Sequence, residues 1–219
     1  MLNHDIGIRQ SVHIGEKSLE GDFVRPPRAN GLVIFAHGSG SSRFSRRNKR
    51  VAQSLQQRGI ATLLFDLLTI DEADRRENVF DIPLLGERVV QALNWARNND
   101  DTKHFPIGLF GASTGAAAAL VAAAKRPANV CAVVSRGGRP DLAGQWLPDV
   151  QAPTLLIVGG ADHVVIDLNK KAMKLLCCDK ELKIVPGASH LFEEVGALDR
   201  VMQIAGQWFD VCFGAPDNV

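Results

Sequence analysis

A series of short runs, Leu32–Ala36, Ile60–Phe65, Phe105–Phe110, Val130–Ser135, Thr154–Val158 and Leu182–Val185, is almost continuously apolar rather than alternating. Such runs read as strands of a sheet that is covered on both faces. Between them lie helical stretches. Residues 46–58 set Val51 and Leu55 on one face, and residues 84–98 do the same with Leu85, Val89 and Leu93. Further helices are expected near residues 114–126, 164–177 and 195–212. Ahead of these units, residues 6–14 and 18–24 flank Gly15-Glu16-Lys17 as an antiparallel pair. Repeated β–α units after such a pair imply an α/β fold, a mostly parallel sheet of about eight strands with helices on both faces. No repeat, low-complexity tract or linker divides the 219 residues, so residues 1–219 are expected to form a single domain.

Charge narrows the partners. Twenty-five Lys and Arg against 24 Asp and Glu leave +1, so no global field is available to hold nucleic acid or an anionic membrane. The local exception is Arg43, Arg46, Arg47, Lys49 and Arg50, a run that a solvated helix start explains as well as a binding role does. The opening Met1-Leu2-Asn3-His4-Asp5 lacks the order of a signal peptide. No apolar run approaches the ~20 residues that span a bilayer. Cys131, Cys177, Cys178 and Cys212 show no metal or redox spacing and read as reduced, mostly buried thiols. A cytoplasmic protein acting on a small molecule is the expectation, without a metal or organic cofactor.

The chemistry is concentrated at strand ends. Phe105–Phe110 runs directly into Gly111-Ala112-Ser113-Thr114-Gly115 and then an alanine-rich helix. This is G-x-S-x-G between strand and helix, where a sharp turn lifts a serine hydroxyl above the sheet. The pattern alone is common, and Ser113 could be a helix cap; its placement favours a nucleophile. Gly38-Ser39-Gly40-Ser41-Ser42 lacks the lysine of a phosphate loop, and no G-x-G-x-x-G marks a dinucleotide site.

A serine hydroxyl needs a base, and the base needs an orienting group. Asp162 follows the strand ending in Val158, and His190 follows the strand ending in Val185. Catalytic groups of parallel sheets gather at that edge, here in the chain order Ser113, Asp162, His190. The other histidines compete poorly. His4 and His13 belong to the opening hairpin, His104 precedes a strand, and His163 neighbours the acid. His37 is expected to brace the loop that follows it. For the oxyanion of acyl transfer, the expected donors are the N–H of Thr114 and that of Ser39, with Gly40 as runner-up.

These motifs, Ala36-His37-Gly38-Ser39-Gly40, Gly111-Ala112-Ser113-Thr114-Gly115, Gly160-Ala161-Asp162 and Gly187-Ala188-Ser189-His190, resemble those of the α/β-hydrolase superfamily over nearly the whole chain. Size and the lack of a cap make the sequence most similar to the small dienelactone-hydrolase-like group. Dienelactone hydrolases proper carry a cysteine where this chain has Ser113. The resemblance therefore implies serine-esterase chemistry rather than the dienelactone substrate.

Only the short segment Gly137–Ala152 follows the sixth strand, too little for a helical cap, while Asp66–Pro83 is a long connection able to cover part of the site. Arg136 lies at the catalytic edge, either to hold an anionic substrate or to pair with Asp141 or another loop acid. Arg43 and Gly40, beside the oxyanion loop, are further candidates for substrate contact. The expected activity is hydrolysis of small soluble carboxylic esters or lactones, anionic ones included. Thioesterase, peptidase, lactonase or transacylase chemistry on the same residues is the alternative, as is a hydrolase fold kept only to bind ligands.

Overall fold

The computed structural model describes residues 7–214. Strands β1 (Ile8–Ile14) and β2 (Leu19–Arg25) form the expected antiparallel pair. They are followed by β3 (Gly31–Ala36), α1 (Arg46–Gln56), β4 (Ile60–Phe65), two short helices α2 (Ile70–Ala73) and α3 (Arg76–Val79), and α4 (Ile82–Asn98). Then come β5 (Ile107–Ala112), α5 (Thr114–Lys125), β6 (Ala132–Arg136), β7 (Thr154–Gly159), α6 (His163–Leu175), β8 (Lys180–Val185) and α7 (Ala197–Phe213). The strands make one eight-stranded sheet in the order β1-β2-β4-β3-β5-β6-β7-β8. Pairing is antiparallel between β1 and β2 and between β2 and β4, and parallel elsewhere.

Side-chain alternation explains why the central strands β3 to β7 are apolar throughout, whereas β8, expected to be covered on both faces, lies at the sheet edge with only Val185 buried. Leu32, Ile34 and Ala36 of β3 enter the core on one face, with Leu85 and Val89 of α4 and the alanines of α5. Val33 and Phe35 enter the other, with Val51 and Leu55 of α1 and Val201 and Phe209 of α7. A strand sandwiched in this way has no wet face on which a polar residue could alternate.

The segment after β6 is not a cap: Pro140–Asp149 forms two 3₁₀ turns joined at Gly144. Trp146 in it packs against the core and under the Lys125 ammonium. The Asp66–Pro83 connection contains α2 and α3. Thr69 and Glu72 close a reciprocal cap on α2, and Glu72 also pairs with the buried Arg88 of α4 at 2.8 Å, which ties the connection to the body. No helix among the described residues is long and apolar enough to cross a membrane. The cysteines are free thiols; contrary to the expectation of burial, Cys177 is exposed and the other three are only partly buried.

Candidate active site

The end of β5 and the start of α5 put Ser113 where the chain reverses direction. Ser113 has φ 51° and ψ −122°, a conformation that a side chain adopts only when its surroundings enforce it. Its N–H donates to the carbonyl of Arg136 at 3.3 Å, and its own carbonyl accepts from Arg139 and Ala116 at 3.0 and 3.1 Å. The flanking glycines are required by close approach. A Cβ on Gly111 would collide with the backbone of Ala116, and one on Gly115 with the carbonyl oxygens of Ala36 and His37.

Asp162 and His190 stand beyond the ends of β7 and β8. The Nδ1–H of His190 donates to Asp162 Oδ2 at 2.7 Å; the acid is 14% exposed and the imidazole 40%. This bond leaves Nε2 as the basic nitrogen. Ser113 and His190 line the same cavity of about 250 Å³, together with Gly38, Ser39, Ser41, Arg47, Asn48 and Arg136. The loop carrying His190 is anchored by Phe192, whose ring is buried although its φ is 56°. A bulky residue in that region is a strained one, and here the strain accompanies a ring packed beneath the site.

His37 braces the Gly38–Ser41 loop. Its Nε2 accepts from the Leu67 N–H at 3.1 Å, so Nδ1 carries the proton and donates to the Gly38 carbonyl at 3.0 Å. Burial pulls this imidazole below its ordinary pKa, against the opposing pull of the Gly38 carbonyl and Asp66. Gly38 and Ser41 close a turn with Gly40 at φ 67°. That turn separates the cavity of Ser113 from a second, mostly apolar cleft of about 240 Å³ lined by Leu67, Leu68, Ile70, Val79 and Leu85. Gly40 and Thr114 line the apolar cleft; Ser39 lines both.

The hydrogen-bonding of the loop alters two expectations. The Ser39 N–H, favoured as an open oxyanion donor, already donates to Thr114 Oγ1 at 2.9 Å. Arg43 does not reach into the site as a free cation. Its guanidinium is held between Asp66 and Glu20, and its N–H donates to Asp66 at 2.7 Å.

Arg136 departs from one of its two alternatives. Asp141 is taken by Arg139 in a two-pronged pair at 2.9 and 2.8 Å. Arg136 is only 7% exposed, yet its polar partner is the amide oxygen of Asn48 at 3.4 Å, and its guanidinium lies 5.9 Å over the Phe192 ring. Burial, with Arg47 close by, pulls Arg136 down to about 10, so it remains charged at neutral pH. Asn48 was not a sequence candidate. Its sole signal is a polar residue on the apolar face of α1, beside Val51, Ala52 and Leu55.

Among the other histidines, His13 is exposed on β1, the His104 ring lies tilted against that of Phe105 with centroids 4.4 Å apart, and His163 opens α6. His4 lies outside the described residues. Among the described residues no cluster of three or more His, Cys, Asp or Glu side chains is placed to hold a metal ion.

Residues 29–203 match the model of the alpha/beta hydrolase domain, and the chain belongs to that family. The crystal structure of a dienelactone hydrolase from Anabaena variabilis is 57% identical, covers 94% of this chain and 97% of its own, and superposes with a TM-score of 0.90. A curated protein of Mycobacterium tuberculosis named "Putative phosphoribosyl transferase" is 55% identical over 195 residues, 89% of this chain. The chain spans only 44% of that relative's length. Est1E from Butyrivibrio proteoclasticus shares the fold at 15% identity, with a TM-score of 0.76 over 91% of this chain and 97% of its own. The chain thus carries an alpha/beta-hydrolase domain built like that of a dienelactone hydrolase.

Proposed function

We propose that this hydrolase cleaves small soluble carboxylic esters or lactones, anionic ones among them, through an acyl-enzyme on Ser113. His190 Nε2 takes the Ser113 proton as Oγ attacks the acyl carbon, then passes it to the leaving alcohol. Water activated by the same imidazole releases the acid. Asp162 keeps the proton on Nδ1 and stabilises the imidazolium. The oxyanion is held by the N–H of Thr114 and by that of Ser39. A full negative charge is a stronger acceptor than the Thr114 hydroxyl and displaces it from the Ser39 N–H.

The observation that carries this reading is the pairing of a strained Ser113, φ 51°, with an Asp162-oriented His190 on one cavity. Without a cap, the cavity is open to water-soluble substrates, and the apolar cleft across the Gly38–Ser41 turn suits the apolar part of a small ester. The activity in the name of the mycobacterial relative is stated of a much longer protein and is not carried to this chain. A panel of activated esters, thioesters and lactones tests the assignment. Turnover of esters or lactones above thioesters, abolished in Ser113→Ala, is the expected result. Turnover that survives Ser113→Ala, or is confined to thioesters, contradicts it.

A further inference from the structure

The cavity that holds Ser113 has a second wall that ester hydrolysis does not use. Arg136 extends from the end of β6, one backbone hydrogen bond from Ser113, into a cavity whose described lining residues include no carboxylate. Its Nε has no hydrogen-bond partner, and Asn48 offers a neutral oxygen at 3.4 Å. Arg47 is the second cation on this wall. One of its terminal nitrogens reaches Glu193 at 3.2 Å, a residue 66% exposed, while its Nε has no partner either.

A buried guanidinium without a counter-charge is costly, and two in one cavity repel each other. The cost persists in a fold where an acid at position 48 would have relieved it. The surroundings are arranged for an anion instead. The cavity borders the N-terminus of α1, where Ser45 caps the helix and the first turn contains no acid. The free N–H groups and dipole of a helix start favour negative charge. The hydroxyls of Ser41 and Ser45 complete the wall.

We infer that this wall is a seat for a phosphate group of the substrate, gripped by Arg136 and Arg47 against the start of α1 while the ester is presented to Ser113. Two guanidiniums, hydroxyls and a helix start supply more donors than the two oxygens of a carboxylate can use. A phosphate dianion matches both their number and their charge. The inference deepens the ester-hydrolase assignment and rests on it for the reaction, but not for binding.

Binding is therefore measured apart from turnover. Inorganic phosphate, titrated calorimetrically into the Ser113→Ala protein, is expected to bind, and its affinity to fall at least tenfold in Ser113→Ala/Arg136→Gln. The more exposed Arg47→Gln, combined with Ser113→Ala, gives the same direction should the Arg136 variant fold poorly. In the catalytic arm, a phosphorylated ester, its carboxylated counterpart and a neutral isostere are compared on wild type. The phosphorylated ester is expected to exceed the neutral one at least tenfold in kcat/KM, with the carboxylated ester between, and the ratio to collapse towards one in Arg136→Gln. Phosphate that does not bind, or binds equally to the arginine variants, overturns the inference. So does a carboxylated ester that equals or exceeds the phosphorylated one. Phosphate binding without turnover of any ester overturns the hydrolase assignment and leaves the seat standing.

Discussion

The N–H of Ser39 donates to the hydroxyl of Thr114 across 2.9 Å, joining the loop after β3 to the first residue of α5. The two chain segments expected to supply oxyanion donors are thereby fixed to each other before substrate arrives. In the proposed reaction the Ser39 N–H exchanges one acceptor, the Thr114 hydroxyl, for the stronger oxyanion, while the loop that carries it stays where the bond has placed it.

Removing that tie loosens the loop without changing the residue's shape. Thr114→Val is expected to lower kcat/KM by roughly 2–10-fold, the worth of one neutral hydrogen bond. Thr114→Ser, which keeps the hydroxyl, should retain most activity. Steady-state kinetics on both variants check it; equal losses would show that the methyl group, not the hydroxyl, matters.

The Asp162–His190 bond sets the tautomer of the proposed base. In Asp162→Asn the amide can donate to Nδ1, which moves the imidazole proton to Nε2 and removes the acceptor that the proposed mechanism requires there. A fall in kcat of about 10³–10⁴-fold is expected. A loss below tenfold would assign the orientation of His190 to some other contact.

Close packing at the turn makes a stability prediction. The Cβ introduced by Gly115→Ala meets the carbonyl oxygens of Ala36 and His37, both backbone atoms that cannot swing away. The expected cost is about 1–3 kcal/mol, read as a Tm lower by roughly 2–10 °C. A Tm within experimental error of wild type would mean that α5 slides along the sheet at no cost.

His37 adds a pH dependence to stability. The unfolded chain takes up this proton near 6.5, whereas the folded one does so only at lower pH because burial disfavours the imidazolium. Between those values the unfolded state binds more protons, so stability is full above pH 6.5 and declines as pH falls towards the folded pKa. Denaturant titrations of wild type and His37→Gln should differ by this component, absent in the variant. Parallel pH profiles would place the titration elsewhere.

The fold was legible because its central strands have no wet face. β3, β4, β5 and β7 are buried at every position, and that alone separates a doubly covered sheet from alternating strands. The G-x-S-x-G turn was equally legible, since its glycines answer to a local steric demand. What escaped sequence reasoning depends on side chains meeting across the fold. Asn48 faces Arg136 from 88 residues away, and Ser39 meets Thr114 across 75. Arg43 and Arg136 look alike in sequence, yet one is held by Asp66 and Glu20 while the other meets no acid among the described residues. Such pairings are set by register and loop path, which no local pattern encodes.

The central claim is that Ser113 is the nucleophile, and covalent labelling tests it most directly. Incubation with a fluorophosphonate, followed by peptide mass spectrometry, should place one adduct on Ser113, absent in Ser113→Ala and slowed greatly in His190→Ala. A folded wild-type protein that takes no label, or an adduct on any other residue, would contradict the assignment.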